Sequence, residues 1–271
     1  MSWIVDERDP WILVTNDDSA DSPALAPLLR RLATIAPVRA VVPAAECSWT
    51  AKRMTRFGEL DLEEIECGGF PTWTLSGSPA DCANLGINNL CSRRPSLVVS
   101  GSNIGTNAGL AYMLSSGTVG AAVEAALCGV PSAAFSVELE KPDYKRWRTE
   151  RNLDSIADLW TSTAAVSAEI VAEILAGGLP EKASLLNVNM PSGTTVLTPR
   201  RFTGIAQTTY GRFFKRLESG RYAYDSAELE ILKPDRGADV EVLRGGEVSI
   251  TPIRFGLEVE APVDRHRFER D

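Results

Sequence analysis

The chain has 271 residues, 44% of them hydrophobic and 24% charged, which suits one large α/β domain or two small ones. Its formal net charge of −8 at pH 7 argues against a nucleic-acid polymer as partner, because such a partner requires a basic face. A small phosphorylated ligand remains compatible with this charge, since backbone amides and a metal ion supply a positive field locally.

The numbers and positions of cysteine and histidine exclude several kinds of metal site and catalytic mechanism. The five cysteines are scattered without a CxxC pair, which argues against a disulfide framework or a zinc site and favours a reducing, cytoplasmic location. For Cys47 we expect a buried structural thiol. The one histidine, His266, excludes HExxH zinc hydrolysis and most Ser-His-Asp triads. Any acid–base chemistry must therefore use carboxylates, water activated by a metal, or substrate groups.

Membrane association is not expected from the hydropathy pattern. The first nine residues lack the basic and apolar regions of a signal peptide. We find no run of about 18 uncharged apolar residues, and so we expect no membrane span.

The first two-thirds of the chain alternates between strand-like and helix-like patterns. Strands are predicted over 11–15, 38–42, 96–100, 132–137 and 184–189. Helices are predicted over 23–35, 79–91, 117–128 and 152–176, the first with Asp21 or Ser22 as N-cap and Pro23 in its first turn. This order predicts an α/β fold with a mostly parallel sheet and helices on both faces.

The pattern changes after about residue 195. The segment 200–250 is polar, punctuated by glycine and rich in aromatic residues, which predicts a β-hairpin arm that packs on the body or on a second subunit. We expect a single domain with an α/β core over 10–199, the arm and a closing strand over 200–250, and a tail over 251–271.

The most informative stretch is Asn16-Asp17-Asp18, which directly follows the first predicted strand. Ligands of open α/β sheets bind outside the carboxyl ends of the strands, where these side chains would lie. Two adjacent carboxylates repel each other, and a divalent cation is the simplest way to stabilise them. The alternative is a solvated turn with an Asp-rich cap.

Three further polar clusters follow predicted strands or open a helix: Glu46-Cys47-Ser48, the segment 100–107 that contains Asn103 and Asn107, and the segment 115–122 that begins Ser-Ser-Gly-Thr. Ser, Gly and Thr at a helix N-terminus favour phosphate binding, although an ordinary helix cap gives the same pattern. The combined oxygen donors suit Mg²⁺ or Mn²⁺ better than Zn²⁺.

Together these motifs resemble the SurE family of nucleotide phosphatases. The resemblance rests on segments in the family's order: 15–18, 46–48, 76–82, 98–103, Asn107, 116–122 and 187–191. It implies a Rossmann-like body with a protruding β arm that is often exchanged between subunits. It also implies a divalent-metal-dependent phosphomonoesterase of the 5′-nucleotidase type, which hydrolyses nucleoside 5′- and 3′-monophosphates.

The resemblance also implies roles for individual residues. By position, Asp17, Asp18, Ser48 and Asn103 match the metal ligands for one Mg²⁺ or Mn²⁺ per subunit. The expected phosphate-binding and substrate-binding residues are Asn16, Asn107, Ser116, Gly117 and Thr118. For the segment 76–82, contact with substrate and a turn followed by a helix N-cap are equally open.

The chain departs from the family pattern in three places. Ser19 stands where the family usually has glycine, and a positive φ there would strain serine. The loop that begins at Trp49 contains less glycine than is common, and the segment 108–115 lacks acidic residues. Substrate preference is the property that these changes would affect first.

Our mechanistic hypothesis is direct hydrolysis, in which a metal polarises a phosphoryl oxygen and orients a water molecule. Activation of that water is left open between proton transfer to Asp17 or Asp18 and a lowering of its pKa by the metal. The helix N-terminus with Ser116 and Thr118 stabilises the transferring phosphoryl group. Nucleoside monophosphates are the expected substrates, and a homodimer or homotetramer formed through the arm is the expected assembly.

Other interpretations fit the sequence less well. An aspartyl-phosphate phosphatase is disfavoured because the two aspartates are adjacent rather than spaced Asp-x-Asp. The absence of GxGxxG after any strand and of a Gly-Lys pair disfavours a dinucleotide oxidoreductase and a P-loop kinase. A non-catalytic protein that binds metal and nucleotide is the main alternative.

Overall fold

The structure is a computed structural model that describes residues 10–151, 153–225 and 229–255. In the body of the fold the strands are β1 Ile12–Thr15, β2 Val38–Pro43, β3 Leu62–Cys67, β4 Phe70–Leu75, β5 Leu97–Ile104, β6 Ser132–Val137 and β7 Leu185–Met190. Further strands follow: β8 Arg200–Phe202, β9 Thr208–Thr209, β10 Phe214–Arg216, β11 Tyr222–Tyr224, β12 Glu230–Ile231 and β13 Val248–Ile253. The α-helices are α1 Leu25–Leu32, α2 Pro79–Leu85, α3 Leu110–Ser115, α4 Gly117–Leu127, α5 Lys141–Glu150, α6 Ala157–Gly177 and α7 Asp239–Arg244.

Within the described residues the main sheet has nine strands, in the order β3-β4-β2-β1-β5-β6-β7-β13-β8. The strands from β4 to β7 in this order are parallel to their neighbours. β3 is antiparallel to β4 on one side, and β13 is antiparallel to β7 on the other. The prediction of a mostly parallel sheet is confirmed.

Helices cover both faces of this sheet, as predicted. Alternate side chains of β1 point to opposite faces, so Ile12 and Val14 pack in the same core as residues of α1 and α6. Leu13 packs on the other side, with Cys82 of α2 and Ala125 of α4. β1 is buried on both faces, which explains its continuous apolar sequence.

The first helix begins later than predicted, and the prediction of an Asp21 or Ser22 N-cap is wrong. The chain enters α1 through a tight turn in which the amide of Leu25 donates to the carbonyl of Ser22 at 3.1 Å. The N-cap is Ala24, whose carbonyl accepts from the amide of Leu28 at 3.2 Å. The predicted apolar face is confirmed, since the four leucines of this helix are buried: Leu25, Leu28, Leu29 and Leu32.

Other boundaries also differ from the prediction. The helix expected over 79–91 is α-helical to Leu85 and continues as a π-helical segment, Gly86–Leu90. The helix expected from 152 begins at Ala157, after a short 3₁₀ turn, and residue 152 lies outside the described residues. The β3–β4 hairpin and the helices α3, α5 and α7 were not predicted.

Among the described residues one helix, Ala157–Gly177, is long and apolar enough by length and composition to cross a membrane, although it is not an uncharged run, because it contains Asp158, Glu169 and Glu173. In the fold, 61% of its most apolar window is buried inside the protein. Its partners include α1 and the strands of the main core. This helix therefore has the packing of a core helix.

The predicted β-hairpin arm is present as two antiparallel strand pairs, β10 with β11 and β9 with β12. β8 and β13 join the main sheet, so we restrict the name arm to the part from β9 to β12. The arm contacts its own chain, because the hydroxyl of Thr208 accepts from the amide of Ala111 at 3.1 Å. His266 and the tail after residue 255 lie outside the described residues. The division into one domain with core, arm and tail stays a prediction.

The segment 76–82 forms a capped helix start that also holds a neighbouring loop. Ser78 and Asp81 form a capping box at α2, with the amide of Ser78 donating to Asp81 at 2.8 Å. Asp81 also accepts from the amide and the hydroxyl of Thr55, at 2.9 and 2.7 Å. Of the two interpretations left open for this segment, the structure supports the helix N-cap.

We expect Asp81→Ala to lower the free energy of unfolding by about 2 kcal/mol near neutral pH, because these hydrogen bonds are lost. Partial burial alone would raise the pKa of Asp81, but the hydrogen bonds from Thr55 and Ser78 lower it below its ordinary value. The contribution is therefore present above the unfolded-state pKa of about 3.9 and is lost as the pH falls through the folded-state pKa.

Urea unfolding at several pH values measures this effect. Asp61→Ala, which changes an exposed carboxylate on a neighbouring loop, is the matched control. A stability difference that does not shrink in acid would contradict the assignment.

Candidate active site

Two adjacent carboxylates are buried at the carboxyl end of β1. Asp17 and Asp18 are each 4% exposed. The hydroxyl of Thr118 donates to Oδ1 of Asp17 at 2.7 Å, and the amide of Ile104 donates to Oδ2 of Asp18 at 2.8 Å. The backbone of Asp17 is held as well, because its carbonyl accepts from the amide of Cys47 at 2.7 Å.

Burial raises the free energy of the ionised form of both carboxylates. Burial raises the pKa of Asp17 to about 6, although the hydrogen bond from Thr118 opposes the rise. Burial, and then repulsion from Asp17, raise the pKa of Asp18. A positive ligand close to both carboxylates would stabilise their ionised forms and remove much of this cost.

Ser48 lies on the loop after β2, which is the neighbour of β1 in the sheet. Its hydroxyl donates to Oε1 of Glu46 at 2.6 Å, which leaves the lone pairs of the oxygen for another partner. Glu46 also forms ion pairs with Arg148 and Arg151, at the C-terminal end of α5. Partial burial alone would raise the pKa of Glu46, but hydrogen bonds from Ser48, Arg151 and Arg148 lower it to about 2.

Asn103 lies near the end of β5, the neighbour of β1 on the other side. Its Nδ2 donates to the carbonyl of Gly105 at 2.9 Å, which directs Oδ1 away from that contact. The amide oxygen is the atom of asparagine that binds a hard cation. Three adjacent strands thus lead to the Asp17–Asp18 pair, to Ser48 and to Asn103.

The N-terminus of α4 reaches the same place. Ser116 is the N-cap, and its Oγ accepts from the amide of Val119 at 3.1 Å. A Cβ on Gly117 would lie 3.1 Å from the Cβ of Asp17 and 2.9 Å from Oγ1 of Thr50, so a side chain there would be crowded. This close approach brings the positive end of the helix to the aspartate pair.

Asn107 is held by a network of buried amides. Its Nδ2 donates to the hydroxyl of Ser136 at 2.7 Å, and its backbone amide donates to Oδ1 of Asn189 at 2.7 Å. Asn187 donates in turn to the carbonyl of Asn107 at 3.0 Å. The motif 187–191 therefore supports the Asn107 loop from β7.

A cavity of about 730 Å³, which is large enough for a mononucleotide, opens onto these groups. The predicted site residues that line it are Asp17, Ser48, Asn103, Asn107 and Ser116. Other lining residues were not predicted, among them the aromatic residues Trp49, Tyr112, Tyr144 and Tyr224 and the cations Lys141 and Arg244. The aromatic composition of 200–250 was the only signal for the contribution of the arm.

The remaining predicted residues take supporting positions. Thr118 is fully buried and directs its hydroxyl to Asp17, which orients that carboxylate. Asn16 is also fully buried, and its Nδ2 donates to the carbonyl of Ser19 at 2.8 Å. The role of Asn16 in substrate binding stays a prediction.

Two expectations concern single residues. Ser19 has a φ of 68°, so the position does favour glycine and serine is strained there. Cys47 is half-buried rather than buried, and its thiol donates to the carbonyls of Ala45 and Gly77 at 3.4 and 3.8 Å, so its structural role stays a prediction.

The donor set fits a hard divalent cation. In the part of the chain that the structure describes, no three His, Cys, Asp or Glu side chains form a group suited to a metal. The candidate set is instead two buried carboxylates with the neutral oxygens of Ser48 and Asn103, which is chemistry for Mg²⁺ or Mn²⁺.

The fold and site together define a class: an α/β protein with an acidic, oxygen-rich site and a helix N-terminus at the carboxyl ends of its central strands. Comparison with known families narrows this class, since residues 12–215 match the family described as survival protein SurE. The chain belongs to the SurE family.

Individual relatives resemble most of the chain. The 5′-nucleotidase SurE of Methanocella arvoryzae is 33% identical, with 96% of this chain and 98% of the relative covered. The 5′-nucleotidase SurE of Methanoculleus marisnigri is 36% identical, with 94% and 95% covered. The crystal structure of the SurE protein from Aquifex aeolicus matches with a TM-score of 0.73 at 29% identity, covering 92% of this chain and 94% of that one.

The strained Ser19 gives a direct test of the backbone at this site. We expect Ser19→Gly to leave the free energy of unfolding within about 1 kcal/mol, because the relief of strain offsets the greater flexibility of glycine. We expect Ser19→Val to lower it by about 2 kcal/mol or more, since a β-branched residue is poorly accommodated at positive φ. Urea unfolding of both variants measures the difference, and equal stabilities would contradict the left-handed conformation.

Proposed function

We propose that this protein is a divalent-metal-dependent phosphomonoesterase that hydrolyses nucleoside 5′- and 3′-monophosphates to nucleoside and phosphate. The observation that carries the proposal is the buried Asp17–Asp18 pair, packed against the N-terminus of α4 beside a cavity of mononucleotide size. The name 5′-nucleotidase SurE, given to relatives that match nearly the whole chain, supports the same activity.

We assign one Mg²⁺ or Mn²⁺ ion per subunit to Asp17, Asp18, Ser48 and Asn103. The burial of two adjacent carboxylates supports this assignment, because a cation offsets their mutual repulsion. When bound, such an ion supplies Lewis-acid chemistry to a phosphoryl group.

Residues of the chain then bind the phosphate, orient Asp17 and accept a proton. The amide of Gly117 and the positive end of α4, together with the Ser116 and Asn107 side chains, bind the phosphate and stabilise charge on the transferring group. The Thr118 hydroxyl keeps Asp17 oriented through its 2.7 Å hydrogen bond. Asp17 or Asp18 accepts the proton of the attacking water, and Asp17 lines the cavity directly.

Phosphate release tests this function directly. With Mg²⁺ or Mn²⁺ we expect release from a panel of 5′- and 3′-nucleoside monophosphates, and none in EDTA. We expect Asp17→Asn to reduce release at least about a hundredfold, because one carboxylate of the site becomes neutral. The matched control is Asp21→Asn, which neutralises an exposed carboxylate on the same loop and should leave activity unchanged.

Two results would overturn the proposal. Release that persists in EDTA and in Asp17→Asn would assign the chemistry to another site. No release from any substrate of the panel, with nucleotide still bound, would favour a non-catalytic relative that binds metal and nucleotide.

We further propose that the protein forms a homodimer or homotetramer through the arm. The β10–β11 hairpin supports this, because Phe214 and Tyr222 are 61% and 67% exposed on it. A cytoplasmic location stays a prediction from cysteine usage.

Gel filtration tests the assembly. We expect the double variant Phe214→Ser and Tyr222→Ser to elute later than the wild type, because the aromatic contact between subunits is lost. The control is Phe57→Ser, which removes an aromatic side chain that is 81% exposed on another loop. A wild-type chain that already elutes at the monomer mass would refute the proposed assembly.

A further inference from the structure

Trp49 occupies an unusual position in the site. It directly follows Ser48 and has a φ of 61°, in the left-handed region that favours glycine. Strained residues of this kind persist only where the surrounding structure fixes them, and they cluster at ligand-binding sites. The contacts of the Trp49 side chain show what fixes this backbone conformation.

Four aromatic rings hold the Trp49 side chain in place. Its ring centroid lies 5.7 Å from that of Tyr112 on α3. The centroids of three rings of the arm lie 5.4, 5.1 and 6.4 Å away, in Tyr210, Phe213 and Tyr224. All four pairs are edge-on or tilted, which are favourable aromatic geometries. The orientation of Trp49 is thus fixed by both the body and the arm.

Despite these contacts Trp49 is still 46% exposed, and it lines the same cavity as Asp17 and Ser116. The cavity therefore has two chemically different parts. One part offers carboxylate and hydroxyl groups and a helix N-terminus, and the other offers the aromatic surface of Trp49 together with Tyr112, Tyr144 and Tyr224. A ligand that joins a phosphate to a flat aromatic ring matches both parts.

We propose that Trp49 stacks on the nucleobase of the substrate and makes this site prefer purine to pyrimidine nucleotides, and both to a base-free sugar phosphate. This inference rests on the proposed function and adds a specificity-determining residue to it. Stacking on an aromatic side chain is favourable for every base, and a purine offers the larger ring surface. Because three of the rings that hold Trp49 belong to the arm, the arm fixes the base-binding surface.

The experiment compares Trp49→Gly with Trp49→Phe in the full-length protein at saturating Mg²⁺ or Mn²⁺. Glycine suits the observed φ, so this variant removes the ring without adding backbone strain. We expect its kcat/KM for AMP to fall about tenfold or more, mainly through KM, because a stacking contact is lost. We expect a smaller fall for UMP and a change of no more than about twofold for ribose 5-phosphate, which has no base to stack.

Two control variants accompany this comparison. Trp49→Phe keeps an aromatic face and should stay within about threefold of the wild type for all three substrates. Phe57→Ala removes a ring that is 81% exposed outside the cavity lining and should change none of them.

The outcomes separate base stacking from a purely structural role of the aromatic cluster. If Trp49 only docks the arm, Trp49→Gly lowers kcat/KM for AMP and for ribose 5-phosphate by the same factor, and the proposal is overturned. A fall that is selective for AMP supports it.

A binding measurement keeps this test independent of catalysis. Adenosine has the base without the phosphate, and we expect it to quench tryptophan fluorescence in the wild type but not in Trp49→Phe. Quenching that persists in Trp49→Phe would assign the base to another surface. If no phosphomonoester is hydrolysed, the proposed function fails, and the adenosine titration still decides whether Trp49 binds a base.

Discussion

Two adjacent carboxylates, Asp17 and Asp18, are buried at the end of β1, an interior strand of the main sheet, and the site is organised around their charge. Both accept hydrogen bonds from fixed neutral donors, Asp17 from the hydroxyl and the amide of Thr118 and Asp18 from the amide of Ile104. These neutral donors only partly offset the cost of burial, since the pKa of Asp17 is still raised to about 6. The N-terminus of α4 brings further positive character to the same point.

The order of the strands explains how this convergence arises. β1 lies between β2 and β5, and all three are parallel, so their carboxyl ends meet at one edge of the sheet. The loop after β2 brings Ser48, and the end of β5 brings Asn103. α4 adds its N-terminus, and this approach requires Gly117, since a Cβ there would crowd Asp17. Candidate ligands that are far apart in the sequence thus become neighbours through the topology of the sheet.

The sequence predicted the parts of the fold that depend on burial, and it missed the parts that depend on tertiary contacts. β1 and β6 were found because strands buried on both faces are largely apolar, β6 with the exception of Ser132 and Ser136. β3 was missed because its sequence LEEIEC is largely exposed and charged. α5 was missed because its sequence KPDYKRWRTE is polar around almost the whole circumference of the helix.

The site was predicted in part, since Asp17, Ser48 and Asn103 do line one cavity. The hydrogen bond from Thr118 to Asp17 could not be predicted, because a contact between residues 101 positions apart has no local signal in the sequence.

Both loops that carry candidate ligands contain non-glycine residues at positive φ: Ser19 after β1, and Trp49 and Ala51 after β2. Each conformation costs on the order of 1 kcal/mol, so each needs compensation. At Ser19 the compensation is local, because Asn16 donates to its carbonyl and its own hydroxyl accepts from the amide of Asp21. At Trp49 it comes from aromatic rings that are remote in the sequence, and the residue remains 46% exposed and lines the cavity. Compensation inside the fold thus accounts for the conformations of Ser19 and Trp49, and the proposed stacking of a nucleobase accounts for the exposed face that Trp49 keeps in the cavity it shares with Asp17.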